Sequence, residues 1–268
     1  MSMKPFLKWA GGKYRLVELI KSTLPQGNRL IEPFVGSGAV FLNTEYTEQL
    51  LADSNPDLIS LFQLLQKEGR GFINFCNSLF VLENNSETAF YALREEFNTT
   101  IDLRRKAALF VYLNRHCFNG LCRYNSKGGF NVPFGRYSKP TLPEKEMFHF
   151  YEKSKHAVFE VADFITTMEK AKFGDVVYCD PPYVPLSPTS SFTSYSKGGF
   201  GLKEQNALAD MAKKLQKKGI TVVISNHDTV FTNEVYHPAK IITFDVQRFI
   251  SSDTKNRNAV GELLAVFA

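Results

Sequence analysis

The sequence predicts an α/β fold: a doubly wound, largely parallel sheet of seven strands, interrupted by an inserted helical domain that ends in a β-hairpin. Three observations carry this expectation. Seven short segments rich in β-branched and apolar residues stand between chain-breaking residues. Helical periodicity separates several of them. One long interval, from position 56 to about 155, shows helical patterns and no clear strand.

The strands are expected at 29–33, 49–53, 157–162, 175–180, 220–225, 241–246 and 262–267. Between the later ones Leu208, Met211, Ala212 and Leu215 share one helical face, and Gly219 suits the end of that helix. Inside the long interval helices are expected over 58–67, 87–97 and 103–117, then a hairpin over 121–133 around Lys127-Gly128-Gly129. The chain therefore divides into a main domain, 1–55 with 156–268, and an insert, 56–155. Positions 185–201 are dominated by Ser, Thr and Gly, with Phe192, Tyr195 and Phe200 as bulky anchors, and read as a lid-like loop.

Composition excludes several classes. In 268 residues, 44% are hydrophobic and 22% charged, as in an ordinary globular protein. The longest apolar run, Ala107 to Leu113, is too short for a membrane span. The N-terminal stretch has no apolar export signal, so a cytoplasmic location is expected, with Cys76, Cys117, Cys122 and Cys179 as reduced thiols. No C-x-x-C pair is present and His227-Asp228 lacks a third ligand, so no metal site is expected. The net charge of +5 is unevenly spread. No acid stands between Asp102 and Glu144, while Arg104, Arg105, Lys106, Arg115, Arg123, Lys127, Arg136 and Lys139 do, leaving the rest of the chain at −3. Phe118, Tyr124, Phe130, Phe134 and Tyr137 are interleaved with these bases. That combination suits a surface meeting phosphates and bases, with Arg104, Arg105 and Lys106 at a helix start expected to face phosphates.

Two motifs suggest a nucleoside ligand. In Leu30-Ile31-Glu32-Pro33-Phe34-Val35-Gly36-Ser37-Gly38 a strand enters a glycine turn, and Asp53 ends the next strand, where an acid can grip ribose hydroxyls. The third glycine of the dinucleotide fingerprint is replaced by Phe41, which disfavours a pyrophosphate and permits a nucleoside such as S-adenosylmethionine. Phe6-Leu7-Lys8-Trp9-Ala10-Gly11-Gly12-Lys13 is not a phosphate loop, since Leu7 and Tyr14 stand at two required positions. Its turn and Lys13 could hold the cofactor's carboxylate.

Val176-Val177-Tyr178-Cys179-Asp180-Pro181-Pro182-Tyr183 ends a core strand on a carboxylate backed by two prolines. An amino group on an aromatic ring is a poor nucleophile, because its lone pair is delocalised. The Asp180 carboxylate and the Pro181 carbonyl can accept its two hydrogens and stabilise the positive charge that develops on methylation, with Pro182 stiffening the chain and Tyr183 stacking on the base. A bland Asp-capped proline turn is the competing reading of these residues alone. Cys179 faces away from Asp180 by strand alternation and reads as a core thiol.

Lys8-Trp9-Ala10-Gly11-Gly12-Lys13, Phe34-x-Gly36-x-Gly38 and Asp180-Pro181-Pro182-Tyr183, in the order cofactor motif, recognition insert, catalytic motif, resemble the DNA adenine methylase (Dam) family. The resemblance runs from about Phe6 to Phe267. It implies a seven-stranded, Rossmann-like methyltransferase sheet with an inserted DNA-recognition domain. It also implies transfer of methyl from S-adenosylmethionine to N6 of adenine in GATC, with the base flipped out of double-stranded DNA, by a monomer needing no protein partner. By carry-over, Trp9, Ala10, Lys13, Phe34, Asp53, Asp163 and Phe164 line the cofactor site with the Gly36 and Gly38 turn. Arg123 reads a guanine, Leu121, Pro133 and Tyr137 contact neighbouring bases, Phe118 wedges into the stack, and Lys8 reads the outer base. Asn119 and Arg136 belong to the same DNA-contacting segments. An RNA or cytosine-N4 amino-methyltransferase would use the same acceptors, and an inactive DNA-binding regulator on this fold is a further alternative.

Overall fold

The computed structural model describes residues 2–184, 200–247 and 259–268. The lid expected over 185–201 falls outside the described residues, apart from Phe200 and Gly201.

The described residues form a seven-stranded sheet from β1 (Arg29–Glu32), β2 (Glu48–Asp53), β3 (Ala157–Val161), β4 (Asp175–Cys179), β5 (Thr221–His227), β6 (Lys240–Gln247) and β7 (Ala259–Phe267). Its order is β3-β2-β1-β4-β5-β7-β6. Strands β1 to β5 pair in parallel, and β7 lies antiparallel between β5 and β6. All five residues of β4 are buried, and so are Leu30 and Ile31 of β1. Parallel strands covered on both faces read as continuous apolar runs, which is why the sequence exposes them. The chain runs outward from β1 through β2 to β3, then returns to β4 on the other flank. The crevice at the carboxyl ends of β1 and β4 is thus the switch point at which such sheets bind ligands. Ile31 is in register with Val177, so Glu32 and Asp180 leave the sheet at the same end.

The helices are α1 (Val17–Thr23), α2 (Pro56–Glu68), α3 (Arg70–Asn77), α4 (Glu87–Thr99), α5 (Leu103–His116), α6 (Glu144–Lys153), α7 (Phe164–Met168), α8 (Leu202–Gln216) and α9 (Val230–Val235). The α8 face of Leu208, Met211, Ala212 and Leu215 is buried as expected, and the chain turns into β5 through Gly219. Asn55 caps α2 and Asp102 caps α5, each accepting two backbone N–H bonds. Although α2 and α6 lie within the interval 56–155, both cover the sheet. Phe62 of α2 and Phe150 of α6 sit 4.7 Å apart, and Phe159 of β3 is 5.5 and 5.7 Å from them. Phe6 joins this cluster 5.2 Å from Phe150.

The hairpin expected over 121–133 is present in short form: an antiparallel bridge joins Tyr124 to Phe130, with backbone bonds from Asn131 to Arg123 at 3.1 Å and from Asn125 to Gly129 at 2.9 Å. Asn125 Oδ1 accepts the N–H groups of Lys127 and Gly129. From α4, Asn98 exchanges two hydrogen bonds with the Phe130 backbone and Arg94 donates to the Val132 carbonyl.

The cationic start of α5 departs from the sequence expectation. Arg104 pairs with Glu68 at 2.7 Å, Lys106 with Asp57 at 2.9 Å, and Arg105 makes a two-pronged contact with Glu96 at 2.6 and 2.8 Å. The acids come from α2 and α4, so the start of an acid-free segment is neutralised in space by acids from earlier in the chain. These three bases tie helices together. Accordingly, Arg105→Ala should lower stability by about 1 kcal/mol or less, as expected for a half-exposed pair. It should leave the salt dependence of DNA binding unchanged. A slope flattened by about one unit would return Arg105 to the phosphates.

Candidate active site and DNA-reading surface

Asp180 follows β4 directly, partly buried in the switch-point crevice. Its Oδ1 lies 2.8 Å from Lys13 Nζ, which also donates to the Gly11 carbonyl at 2.6 Å. The same ammonium sits 4.6 Å above the centre of the Tyr183 ring. Burial raises the Asp180 pKa above the ordinary carboxylate value, Lys13 opposes the shift, and Glu262 adds to it. Glu32, at the end of the neighbouring strand, is 2% exposed and its Oε1 has no partner. Burial pushes its pKa well above the usual range, a backbone hydrogen bond from Phe41 opposes this, and the charge of Asp180 pushes the same way as burial. Burial therefore biases Glu32 toward its neutral form, while Asp180 keeps an ammonium at hand.

Tyr183 is fixed at its rim. Its hydroxyl donates to Glu262 Oε2 at 3.1 Å, and its ring meets His227 edge-on at 4.8 Å. Cys179 is fully buried and burial drives its pKa upward, as befits a core thiol and not a nucleophile. All four cysteines are free. No group of three or more His, Cys, Asp or Glu that could hold a metal occurs among the described residues.

The glycine turn and Asp53 meet as the sequence suggests. Asp53 Oδ2 accepts the Gly36 N–H at 3.2 Å and Oδ1 accepts the Asn55 N–H at 3.0 Å. A carboxylate offers about four lone-pair sites, so with the Ser54 backbone also bonding to it, acceptor capacity remains for a hydroxyl. Gly36 has φ 47°, and a Cβ there would lie 2.8 Å from Trp9 Nε1. The indole is thus seated on bare backbone, which only glycine provides. Ala10 is exposed beside it, and Gly38 is buried against Phe41 and Phe150. Phe34 and Phe164 stack with centroids 5.6 Å apart, and Phe200 closes a triangle with them at 5.5 and 5.6 Å. Asp163 caps α7, accepting the Thr166 N–H and hydroxyl, both at 2.9 Å, which holds its pKa below the ordinary value. Its carboxylate serves the helix that presents Phe164.

A second cluster gathers the DNA-reading candidates. Lys8 Nζ lies 4.2 Å above the Tyr137 ring, whose hydroxyl accepts the Asn119 N–H at 2.9 Å. The Lys8 stem crosses Gly120, where a Cβ would meet it at 2.4 Å. Phe118 is 50% exposed, and its N–H bonds the Pro133 carbonyl at 2.8 Å. Arg123 is exposed, with Nε on Asn131 Oδ1 at 2.8 Å and Nη2 on the Asn131 carbonyl at 3.2 Å. Arg136 reaches Glu87 at 3.3 Å across an open surface, while Leu121 packs against the core.

Some contributors escaped the sequence reading. Asn114, 2% exposed, exchanges two hydrogen bonds with the Lys8 backbone and a third with the Gly120 carbonyl, joining the N-terminal segment to the reading cluster. Asn131 orients Arg123, and Glu262 orients Tyr183 from 79 positions away. Glu32 alone carried a signal, as an acid ending a buried strand.

A family model described as D12 class N6 adenine-specific DNA methyltransferase matches residues 9–250. The chain belongs to this family. The DNA adenine methylase of Serratia marcescens is 50% identical over 265 residues, covering 98% of both chains. That of Escherichia coli K12 is 50% identical over 264 residues, covering 98% of this chain and 95% of its own. Adenine-N6 methylation of DNA sets aside the alternatives of an RNA or cytosine-N4 enzyme and of an inactive regulator. No helix among the described residues is long and apolar enough to cross a membrane.

One titration follows from the crevice. If Asp180 is the acceptor proposed below, its ionised form is the one that stabilises the positive charge developing on the amino nitrogen, so kcat/KM should fall as pH drops through its raised pKa. Lys13→Met removes the ammonium that opposes that rise, leaving burial and Glu262 unchecked. The acid limb of the kcat/KM profile, which reports the free enzyme, should move to higher pH. An unmoved limb would detach Lys13 from Asp180.

Proposed function

We propose that the chain methylates N6 of adenine in GATC, using S-adenosylmethionine and a base flipped from the duplex, with Asp180 and the Pro181 carbonyl as paired acceptors. The observation that carries this reading is the position of Lys13 Nζ, a nitrogen 2.8 Å from the Asp180 carboxylate and over the Tyr183 ring. That is the place an adenine amino nitrogen takes if its ring stacks on Tyr183. N6 is unreachable inside a paired stack, hence the need for flipping.

The residues fit the cofactor. Gly36 and Trp9 leave a bare backbone shelf, Asp53 retains acceptor capacity for a ribose hydroxyl, and the Phe34–Phe164 pair supplies a face for adenine. When bound, the cofactor supplies an electrophilic methyl group on sulfonium. Asp180 and Pro181 draw the amino nitrogen toward tetrahedral geometry and stabilise its developing positive charge, which preformed acceptors do better than water. As the base enters, its amino group takes the Lys13 place on Asp180, and the displaced ammonium turns to the cofactor's carboxylate. Glu32 stays neutral and adds no second charge to the crevice. GATC reading falls to Phe118, Leu121, Arg123, Pro133 and Tyr137, on a recognition unit within 56–155, together with Lys8 from the N-terminal segment.

Two variants test the halves of this reading. Asp180→Ala should lose ~10²-fold or more in turnover, with cofactor binding retained through Asp53. Turnover within about tenfold of wild type would end the acceptor mechanism. Arg123 keeps N–H groups free of Asn131 and can pair bidentately with guanine O6 and N7. Arg123→Ala should lose about 1–3 kcal/mol of discrimination at one guanine and change the salt slope little. Methylation rates on GATC and each single-base variant measure this, and uniform slowing at every site would show that Arg123 is not a reader.

A further inference from the structure

Behind the catalytic turn lies a buried polar unit built from three elements. Gln205 of α8, Asn226 of β5 and Tyr236 just after α9 are 1%, 0% and 0% exposed. Gln205 Nε2 donates to the Pro182 carbonyl at 2.8 Å. Asn226 Oδ1 accepts the Val184 N–H at 3.1 Å and the His227 N–H at 2.9 Å. Asn226 Nδ2 donates to Gln205 Oε1 at 3.1 Å and to Tyr236 Oη at 2.8 Å, and the Tyr236 hydroxyl donates to Gln205 Oε1 at 3.2 Å. His227 Nδ1 lies 2.7 Å from the Val184 carbonyl. The peptide groups on both sides of Tyr183 are thereby held.

The directions of these bonds leave no freedom. Asn226 uses both oxygen lone pairs and both amide hydrogens, and turning either amide over would set donor against donor. Burying this many polar atoms gains little net stability over an apolar filling of the same shape. What it gains is direction. The ring of Pro182 locks its φ, which leaves ψ as the one soft torsion between its own carbonyl and the plane before it, which contains the Pro181 carbonyl. Gln205 grips the former and so aims the latter. The Asn226 bond to Val184 fixes the far side of Tyr183, whose ring then needs only Glu262 to set its tilt.

We infer that Gln205, Asn226 and Tyr236 are positioning residues for methyl transfer, aiming the Pro181 acceptor and the Tyr183 face at the target base. This rests on the acceptor reading above.

The test uses the full chain and three variants. Gln205→Leu fills the same space without the donor, and should lower kcat about tenfold or more, since small misplacements of a reacting group are costly. Cofactor and DNA affinities should stay within about twofold, because the loss falls in the chemical step. Gln205→Glu distinguishes aiming from filling. Protonated, its O–H can donate to the Pro182 carbonyl while its C=O accepts from Asn226 and Tyr236. Ionised, it sets a carboxylate against that carbonyl. Around it stand the titratable Tyr236 after α9, Cys179 and Asp180 at the end of β4, His227 at the end of β5 and Glu262 on β7. Burial raises such a carboxyl, so the ratio of its kcat to wild type should climb as pH falls, whereas the leucine ratio stays flat. Taking ratios at each pH removes the titration of Asp180. If thermal melting shows Gln205→Leu unfolded, Tyr236→Phe, lacking one hydroxyl, should still lower kcat with cofactor affinity unchanged. Wild-type kcat in whichever of these two folds, or a flat glutamate ratio, overturns the inference. An inactive Asp180→Ala beside a fully active Gln205→Leu sinks the positioning role alone, whereas an active Asp180→Ala sinks the acceptor reading.

Discussion

Two strands that feed opposite halves of the sheet, β1 and β4, bring Glu32 and Asp180 to one end of one crevice, with the Lys13 ammonium against Asp180. Two carboxylates in such a place cannot both ionise cheaply, and the asymmetry of their neighbours decides which does. Lys13 stands on Asp180, whereas Glu32 has an orphan oxygen and one backbone donor. Burial thus favours the protonated form of Glu32. A carboxyl whose pKa is raised on folding costs stability above its unfolded pKa, a cost that grows with pH until the folded pKa is reached.

Much of this was legible because it is local. The strands show as apolar runs since the parallel sheet buries both faces. Asp180, Asp53 and the glycine turn stand at strand ends, where a short motif already implies placement. What stayed hidden is long-range pairing. The run of bases from Arg104 to Lys106 looks like a phosphate surface in sequence, yet its acids, Glu68, Glu96 and Asp57, sit earlier in the chain and arrive by packing of α2 and α4 against α5. Asp163 looks like a ligand-facing acid at a strand end, and it is also a helix cap, since the same residue type suits both tasks. Gln205, Asn226 and Asn114 carry no local pattern whatever. A buried amide is recognised only by its partners.

The N-terminal segment ties the two working surfaces together. Lys8 belongs to the reading cluster and Lys13 to the crevice, with the Trp9 indole seated on Gly36 between them. The Gly12 N–H bonds the Trp9 carbonyl at 3.2 Å, so the chain turns between the two lysines. On the proposed reading one short, turned segment would carry both the outer-base contact and the cation at Asp180. Asn114 makes that link stiff, since its two bonds to Lys8 and one to Gly120 hold the segment against the end of α5.

That stiffness bears on how a base can be held outside the duplex. A flipped adenine leaves a gap whose closing would push the base back, and an apolar wedge opposes this. Phe118 is half exposed, its backbone is bonded to Pro133, and it stands beside Asn119, whose φ of 53° turns the chain sharply there. Asn119 in turn donates to Tyr137, beneath the Lys8 ammonium. Phe118, Asn119, Tyr137 and Lys8 are thus held in one local frame of hydrogen bonds and a cation–π contact. On the proposed reading, recognising the sequence and opening the stack would share these contacts.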